Sequence, residues 1–346
     1  MQAPSKPILE VRNLVKHFPL RGTSHVVHAC EGVSLNVLPG ETLGIVGESG
    51  SGKTTLGRCI LRLIEPTSGE IIFEDVDITK LGRRQLRRLR SDIQIVFQEP
   101  LDSFNPQLNI GYQIAEPLLV HRYCNKAEAK RRVGELLGLV GLPEDFENAY
   151  PSGVSGGELQ RCSIARAIAT NPKLIVLDEP TSALPPGTED EVIAVLRDLQ
   201  EKLGLSYVFI SHDLLLVRSL CRRIAVMYLG QIVELGERDT IFGNPRHPYT
   251  RALMASVLFP DPTQRRQAGQ RGEQLEGEIP SPIDLPDACY LAGRCPHVRD
   301  RCREELQELT EVEPGHWVRC WRSAEGELTY HGPDSLPMER DQGGPS

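Results

Sequence analysis

Short apolar runs recur along the chain, and each ends abruptly in glycine or polar residues. They are Thr42-Leu43-Gly44-Ile45-Val46, Ile93-Gln94-Ile95-Val96-Phe97, Leu174-Ile175-Val176-Leu177 and Tyr207-Val208-Phe209-Ile210. Runs of this length bounded by turn signals fit strands buried on both faces, as in a parallel sheet. Helix-like stretches lie between them: Leu56–Ile64, Leu81–Arg90, about 111–140, the stretch carrying Ile164, Ala165, Ile168 and Ala169, and Val192–Leu203. Strands alternating with helices predict an α/β fold. Residues 8–46 read differently, as short strands at Ile8–Val11 and Val33–Val37 before the first buried run, and Glu70–Phe73 adds another. Ile224–Tyr228 and Gln231–Leu235 read as a hairpin around Gly230.

The polar residues at the strand ends carry the chemistry. After Val46 comes Gly47-Glu48-Ser49-Gly50-Ser51-Gly52-Lys53-Thr54-Thr55, followed by a helix pattern. This is a phosphate-binding loop in its required strand–loop–helix setting. Its glycines let backbone N–H groups curl around phosphate oxygens. The helix start adds unpaired N–H groups and the positive end of a dipole. Lys53 would reach the β- and γ-phosphates, and the Thr54 hydroxyl would sit on Mg²⁺. The run through Leu177 ends in Asp178-Glu179. Ligands bind at the C-terminal edge of open parallel sheets, so Asp178 would hold Mg²⁺ and Glu179 would orient or deprotonate the attacking water. His212 follows another buried strand and is a candidate γ-phosphate sensor. Gln98 ends the run through Phe97 and could touch Mg²⁺ and the water; taken alone, it reads first as an ordinary polar turn residue. Ser155-Gly156-Gly157-Glu158 opens a helix, either as a plain N-cap or as a second anion-binding helix start. Phe18 is either an adenine-stacking aromatic or an apolar strand residue in the core.

Composition narrows the classes. A chain of 346 residues holds one large domain or two smaller ones. Its net charge of −8 argues against a chain-wide nucleic-acid footprint. The first ten residues carry no apolar signal core, and no apolar run approaches the roughly 18 residues of a membrane span. A soluble protein is expected, with any membrane role exerted through a partner. The basic stretch Arg83, Arg84, Arg87, Arg88 and Arg90 reads as a solvated helix face. Nine cysteines without a secretory signal point to reduced thiols or metal ligands. Cys289, Cys295, Cys302 and Cys320 crowd the tail at spacing C-x5-C-x6-C-x17-C. Four thiolates can hold a [4Fe–4S] cluster or a tetrahedral Zn²⁺, or remain unligated, and the spacing alone does not choose.

Taken together, the phosphate loop, the Gln98 loop, Ser155-Gly156-Gly157-Glu158, Leu177-Asp178-Glu179-Pro180, the loop after it and His212 resemble the ATP-binding subunits of ABC transporters, in that family's order and over about residues 8–240. Val96-Phe97-Gln98-Glu99-Pro100-Leu101, Ser103-Phe104-Asn105-Pro106, Asn244-Pro245-Arg246-His247-Pro248-Tyr249-Thr250 and the cysteine tail are similar to the oligopeptide/dipeptide importer branch. The resemblance implies a RecA-like P-loop core with an antiparallel β-subdomain and an inserted helical subdomain at about 99–165. It implies an ATP-binding domain over 1–240, a C-terminal extension over 241–323 with a four-cysteine site, and a disordered tail over 324–346. It implies ATP hydrolysis with Mg²⁺, an iron–sulfur cluster on the four cysteines, and Phe18 as the adenine-stacking aromatic. It implies a head-to-tail pair of ATPase subunits, a heterodimer in this branch, with the signature serine and glycines closing the partner's site. Two permease subunits and, indirectly, a substrate-binding protein would be the other partners, at the cytoplasmic face of the membrane. Two departures stand out. Glu158 replaces the usual Gln and should be tolerated. Pro185, where the family has Asp after Ser182-Ala183-Leu184, should alter the interface loop, since proline has no N–H and a fixed φ. A soluble ABC ATPase acting on nucleic acid or ribosomes, or a weakly active regulatory partner in an asymmetric pair, are the competing readings.

Overall fold

Two sheets divide the strands by their burial pattern. The computed structural model describes residues 6–185, 187–256 and 275–328. The N-terminal strands β1 (Leu9–Pro19) and β2 (Val26–Val37) are long and only half-buried, so they can pair antiparallel with one wet face. Next come β3 (Thr42–Val46), buried at all five positions, and α1 (Lys53–Ile60). Strands β4 (Ser68–Phe73) and β5 (Val76–Asp77) complete an antiparallel sheet of order β2-β1-β4-β5. Helix α2 (Arg83–Leu89) buries only Leu86, so its arginines do face solvent.

The strand β6 (Ile93–Val96) leads into the helical insertion: α3 (Pro100–Ser103), α4 (Ile110–Val120), α5 (Lys126–Leu139) and α6 (Gly156–Ile168). The helical stretch expected over about 111–140 is two helices. Arg122 takes a left-handed φ of 60°, and the Asn125 side chain caps α5 by accepting from Glu128 N–H. The chain then returns to the sheet through β7 (Leu174–Asp178), α7 (Glu189–Leu203), β8 (Ser206–Ile210), α8 (Leu214–Leu220) and β9 (Arg223–Tyr228). The parallel strands run in the order β9-β3-β8-β7-β6. Strands β7 and β8, like β3, are buried throughout. Their C-terminal ends share one edge, so the phosphate loop, Asp178–Glu179, His212 and Gln98 all leave the sheet on the same side.

The chain separates into two compact units. The first runs to Ile232 and takes back Pro280–Pro286; the second holds the rest from Val233 onward. The division falls inside β10 (Gln231–Glu237) rather than at residue 240. Pro280–Pro286 comes from the stretch read as C-terminal extension, yet it packs on β2. His28 N–H donates to Pro282 O at 2.8 Å, and Val27 bridges to Ile283.

The second unit contains α9 (Arg238–Gly243), α10 (Pro248–Ala255), α11 (Asp300–Glu304), β11 (Thr310–Glu313), β12 (His316–Val318) and α12 (Trp321–Ala324). Strand β12 pairs with both β10 and β11. Its centre is Glu234, fully buried. The carboxylate accepts from Arg246 N–H at 2.7 Å, His247 N–H at 2.9 Å and His316 Nε2 at 2.7 Å. That explains the Asn244–Thr250 segment physically. Its amides satisfy a buried carboxylate, and the His247 side chain caps α10 by accepting from Tyr249 N–H, with Pro248 at the first helical position. His316 is thereby committed to Glu234. Residues 263–272, a polar run whose composition reads as a linker, lie outside the described residues, and so does the tail beyond 328.

Candidate functional site

The phosphate loop is shaped by glycines that no other residue could replace. Gly52 has φ +101°, and a Cβ there would lie 2.0 Å from Ala29 O; at Gly47 it would lie 2.1 Å from Met227 O. The loop is thus clamped between β2 and β9. Lys53 is 5% exposed, and its ammonium donates to the carbonyls of Gly47 and Glu48, each at 2.9 Å. Burial pulls its pKa down, while Glu179, Asp178 and Glu48 pull it back up. A phosphate would replace those carbonyls as acceptor and supply the missing negative charge.

Beside it, the Thr54 hydroxyl donates to Asp178 Oδ1 at 2.9 Å. Asp178 is 1% exposed, and its Oδ2 is buried with no hydrogen-bond partner. Burial raises its carboxyl pKa, opposed by the Thr54 bond. A buried, half-satisfied carboxylate next to a threonine hydroxyl is the donor set a hard dication takes. The residues therefore fit Mg²⁺.

Three strand ends meet on one atom. Glu179 Oε2 accepts from Gln98 Nε2 at 3.3 Å and lies 3.2 Å from His212 Nδ1. Since a carboxylate only accepts, Nδ1 carries the hydrogen in this arrangement. Glu179 itself holds a left-handed φ of 48°, and its N–H is tied to Ile210 O at 2.9 Å. Such a backbone costs about 1–2 kcal/mol and persists where surroundings enforce it, commonly at functional sites.

These groups line a cavity of about 700 Å³ together with Phe18, Val27, His28, Ser49, Gly50 and Pro282. Phe18 is therefore a wall residue, half-buried opposite its cross-strand partner Val27, and not core. Val27, His28 and Pro282 were missed from the sequence. Only the β1–β2 register and the return of the tail segment bring them here, and no local motif signals either. The Ser155 segment is not part of this wall. Ser155 and Gly156 are exposed at the start of α6. Glu158 closes a capping box there, accepting from Ser155 N–H at 2.8 Å and Ser155 Oγ at 2.7 Å. Those bonds hold its pKa below the usual carboxylate value.

The four tail cysteines lie in the second unit, among nine cysteines that are all unbridged. Cys289 N–H donates to Cys302 O at 3.0 Å, and Trp321 Nε1 donates to Cys302 Sγ at 3.3 Å. Burial lifts the Cys289 thiol to about 11 and the Cys295 thiol to about 12. No three of the four sulfurs lie within 4.8 Å of one another.

A phosphate loop with Asp178, Glu179, His212 and Gln98 gathered on the same edge of a parallel sheet is the arrangement of a P-loop nucleoside triphosphatase. Comparison with known proteins places it further. Residues 30–182 match the ABC transporter family model, and residues 233–302 match the oligopeptide/dipeptide transporter C-terminal region. A putative peptide import ATP-binding protein of Brucella ovis is 44% identical over 316 residues, 91% of this chain and 98% of that protein. The oligopeptide transport ATP-binding protein AppF of Bacillus subtilis is 43% identical over 326 residues, 92% of this chain and 98% of that one. Among solved structures, the dimeric ATP-binding cassette MJ0796 bound to ADP and Pi superposes with a TM-score of 0.61 at 31% identity, over 66% of this chain and 98% of that one. CbiO1 of Clostridium perfringens gives 0.60 at 28% identity, over 68% and 90%. The chain belongs to the ABC transporter ATP-binding subunits, in the branch that carries the oligopeptide/dipeptide C-terminal region. It is an ATPase.

Proposed function

We propose that this chain is the ATP-hydrolysing subunit of an importer for di- or oligopeptides, working from the cytoplasmic face of the membrane. The observation that carries the catalytic part is the meeting of Gln98, Glu179 and His212 above Lys53 and Thr54. In this reading the loop amides and Lys53 hold the phosphates, and Phe18 stacks on the adenine. Thr54, Asp178 and Gln98 hold Mg²⁺, which neutralises charge on the β- and γ-phosphates. Glu179 orients a water and takes its proton as the new oxygen–phosphorus bond forms. The bond to the bridging oxygen breaks, and ADP leaves with that electron pair. His212 and Gln98 position Glu179 and report the γ-phosphate. The 10²–10⁴-fold typical of a positioned base is what Glu179 has to supply.

The signature start, Ser155, Gly156, Gly157 and Glu158, with Ser155 and Gly156 exposed, is outside its own cavity and free to close the site of a second ATPase subunit. A non-identical partner is the arrangement favoured here. The helical insertion offers a permease contact. Leu101, Tyr112, Val120 and Tyr123 are exposed on it, and it also carries a cavity of about 340 Å³ lined by Tyr112, Ala115, Leu119 and Lys130. The names of the relatives and the C-terminal family match support peptides as cargo. No helix among the described residues is long and apolar enough to cross a membrane, so two permease subunits would supply the path. Net negative charge and a single cassette disfavour a nucleic-acid or ribosomal role.

The test is uptake of labelled peptides into proteoliposomes holding this subunit, its ATPase partner, their permeases and the binding protein. ATP-driven uptake that disappears in Lys53→Ala is the expected result; a complex that hydrolyses ATP and moves no peptide would overturn the cargo.

The extension over 241–323 is read as a structural module in which Cys289, Cys295, Cys302 and Cys320 hold a [4Fe–4S] cluster. The spacing of the four thiolates suits either group, and similarity to the oligopeptide/dipeptide importer branch favours the iron–sulfur cluster over Zn²⁺. Near four iron and four sulfide per chain, with broad absorbance around 400 nm, is expected of anaerobically purified protein. Zinc, or no metal, would remove the cluster.

A further inference from the structure

Outside the ATP site, one group of side chains has the composition of a metal centre. His17 on β1 and His28 on β2 are cross-strand partners, and Glu31 follows on β2. His17 Nε2 and His28 Nδ1 each lie 2.7 Å from the same atom, Glu31 Oε2. The two rings are 4.3 Å apart between centroids. The three donor atoms all fall within 4.8 Å of one another, the only such trio of His, Cys, Asp or Glu among the described residues. Their side chains are 17–26% exposed, so water-borne ions can reach them.

The backbone holds each of the three independently. His17 N–H donates to Thr67 Oγ1 at 3.0 Å, His28 N–H to Pro282 O at 2.8 Å, and Glu31 N–H to Gly230 O at 2.8 Å. Three anchors on three different segments fix the backbone from which the trio projects. The returning tail segment is one of those anchors. Pro280–Pro286 pairs along β2, and Asp284 also meets His25.

We propose that His17, His28 and Glu31 bind a borderline transition-metal dication, Zn²⁺ in the first instance. Two imidazoles and one carboxylate are the donor set of open zinc sites, with water in the remaining position. Mg²⁺ prefers all-oxygen surroundings and would not compete. The metal would take His17 Nε2 and His28 Nδ1, the atoms that now face the carboxylate, together with Glu31 Oε2. The ligand atoms would open from 2.7 Å to about 3.3 Å, the separation that metal bonds of 2.0–2.1 Å require in a tetrahedron. The site is separate from the phosphates, yet His28 also lines the ATP cavity.

Full-length protein, stripped with a chelator and titrated with Co²⁺, gives the test. One equivalent should bind with weak d–d absorption between about 500 and 650 nm and no thiolate-to-cobalt band, which separates it from the tail cysteines. His17→Gln and Glu31→Gln, checked for fold by circular dichroism, should each weaken that equivalent at least about tenfold. Zn²⁺ should displace the colour. Titrations of the variants that superpose on wild type, Co²⁺ bound only with thiolate bands, or no Co²⁺ bound at all would each overturn the site and leave the trio a hydrogen-bonded cluster.

Discussion

Asp178 shows a residue paying for function. Its buried Oδ2 has no partner, and burial raises its pKa above the ordinary 3.8. For a raised carboxyl the cost of the charge appears as pH rises through the window between the unfolded and folded values, and it is fully present above the folded one. Asp178→Asn keeps an oxygen for Thr54 and removes that charge. It should raise the melting temperature of the metal-free protein by about 2–4 °C, the effect of about 1 kcal/mol in a domain of this size. The same change should abolish Mg²⁺-dependent hydrolysis. A lower melting temperature would show that Asp178 is stabilising. The residues of this kind were legible in the sequence because their requirement is local: glycines, lysine and threonine at fixed spacing in one loop, acids at the end of one apolar run. Phe18 could not be settled that way. Its place on the cavity wall depends on irregular β1–β2 pairing, with register shifts between Leu14 and Lys16 and between Lys16 and His17.

Among the elements, β3, β7 and β8 were readable because burial on both faces leaves an unbroken apolar run. The split between α4 and α5 was not, since apolar and charged positions continue across it and only Arg122 and Asn125 mark the break. Helix α8 was also missed; Leu214-Leu215-Leu216-Val217 shows no helical period, and its start depends on Asp213 accepting from Leu215 and Leu216 N–H. The start of α10 carries a pH prediction. His247 is fully buried and caps that helix with an unprotonated Nδ1. Burial lowers its pKa from 6.5 to about 4. A lowered histidine keeps its stabilisation above the unfolded value and loses it as pH falls, here between about 6.5 and 4. At 1.36 kcal/mol per pH unit the full window is worth roughly 3 kcal/mol. His247→Asn keeps a capping oxygen and cannot titrate there. Urea midpoints should fall between pH 7 and 5 in wild type and change less in the variant. Parallel profiles would exclude His247 as the source.

At the scale of the whole molecule, the site is one half of something larger. The signature start lies outside the cavity of its own chain, and the loop after Glu179 departs from the family at Pro185. In this structure Pro185 O accepts from Thr188 N–H at 3.2 Å and Thr188 Oγ1 at 2.8 Å, so the loop is bound to the start of α7. With no N–H of its own to offer across an interface, Pro185 should weaken coupling at the paired site. Pro185→Asp should then raise ATP turnover of the assembled pair; an unchanged rate would mean that the loop tolerates proline. The return of Pro280–Pro286 to the first unit was not foreseen. Strand pairing over some 250 positions leaves no local trace.

The account rests on Glu179 as the base of a working ATP site. The most direct measurement is phosphate release at saturating Mg-ATP by the wild-type subunit and by Glu179→Gln, with ATP binding followed in parallel. Release should fall by at least about 100-fold while ATP still binds. Release at the wild-type rate would contradict it, and the meeting of Gln98, Glu179 and His212 would then be structural only.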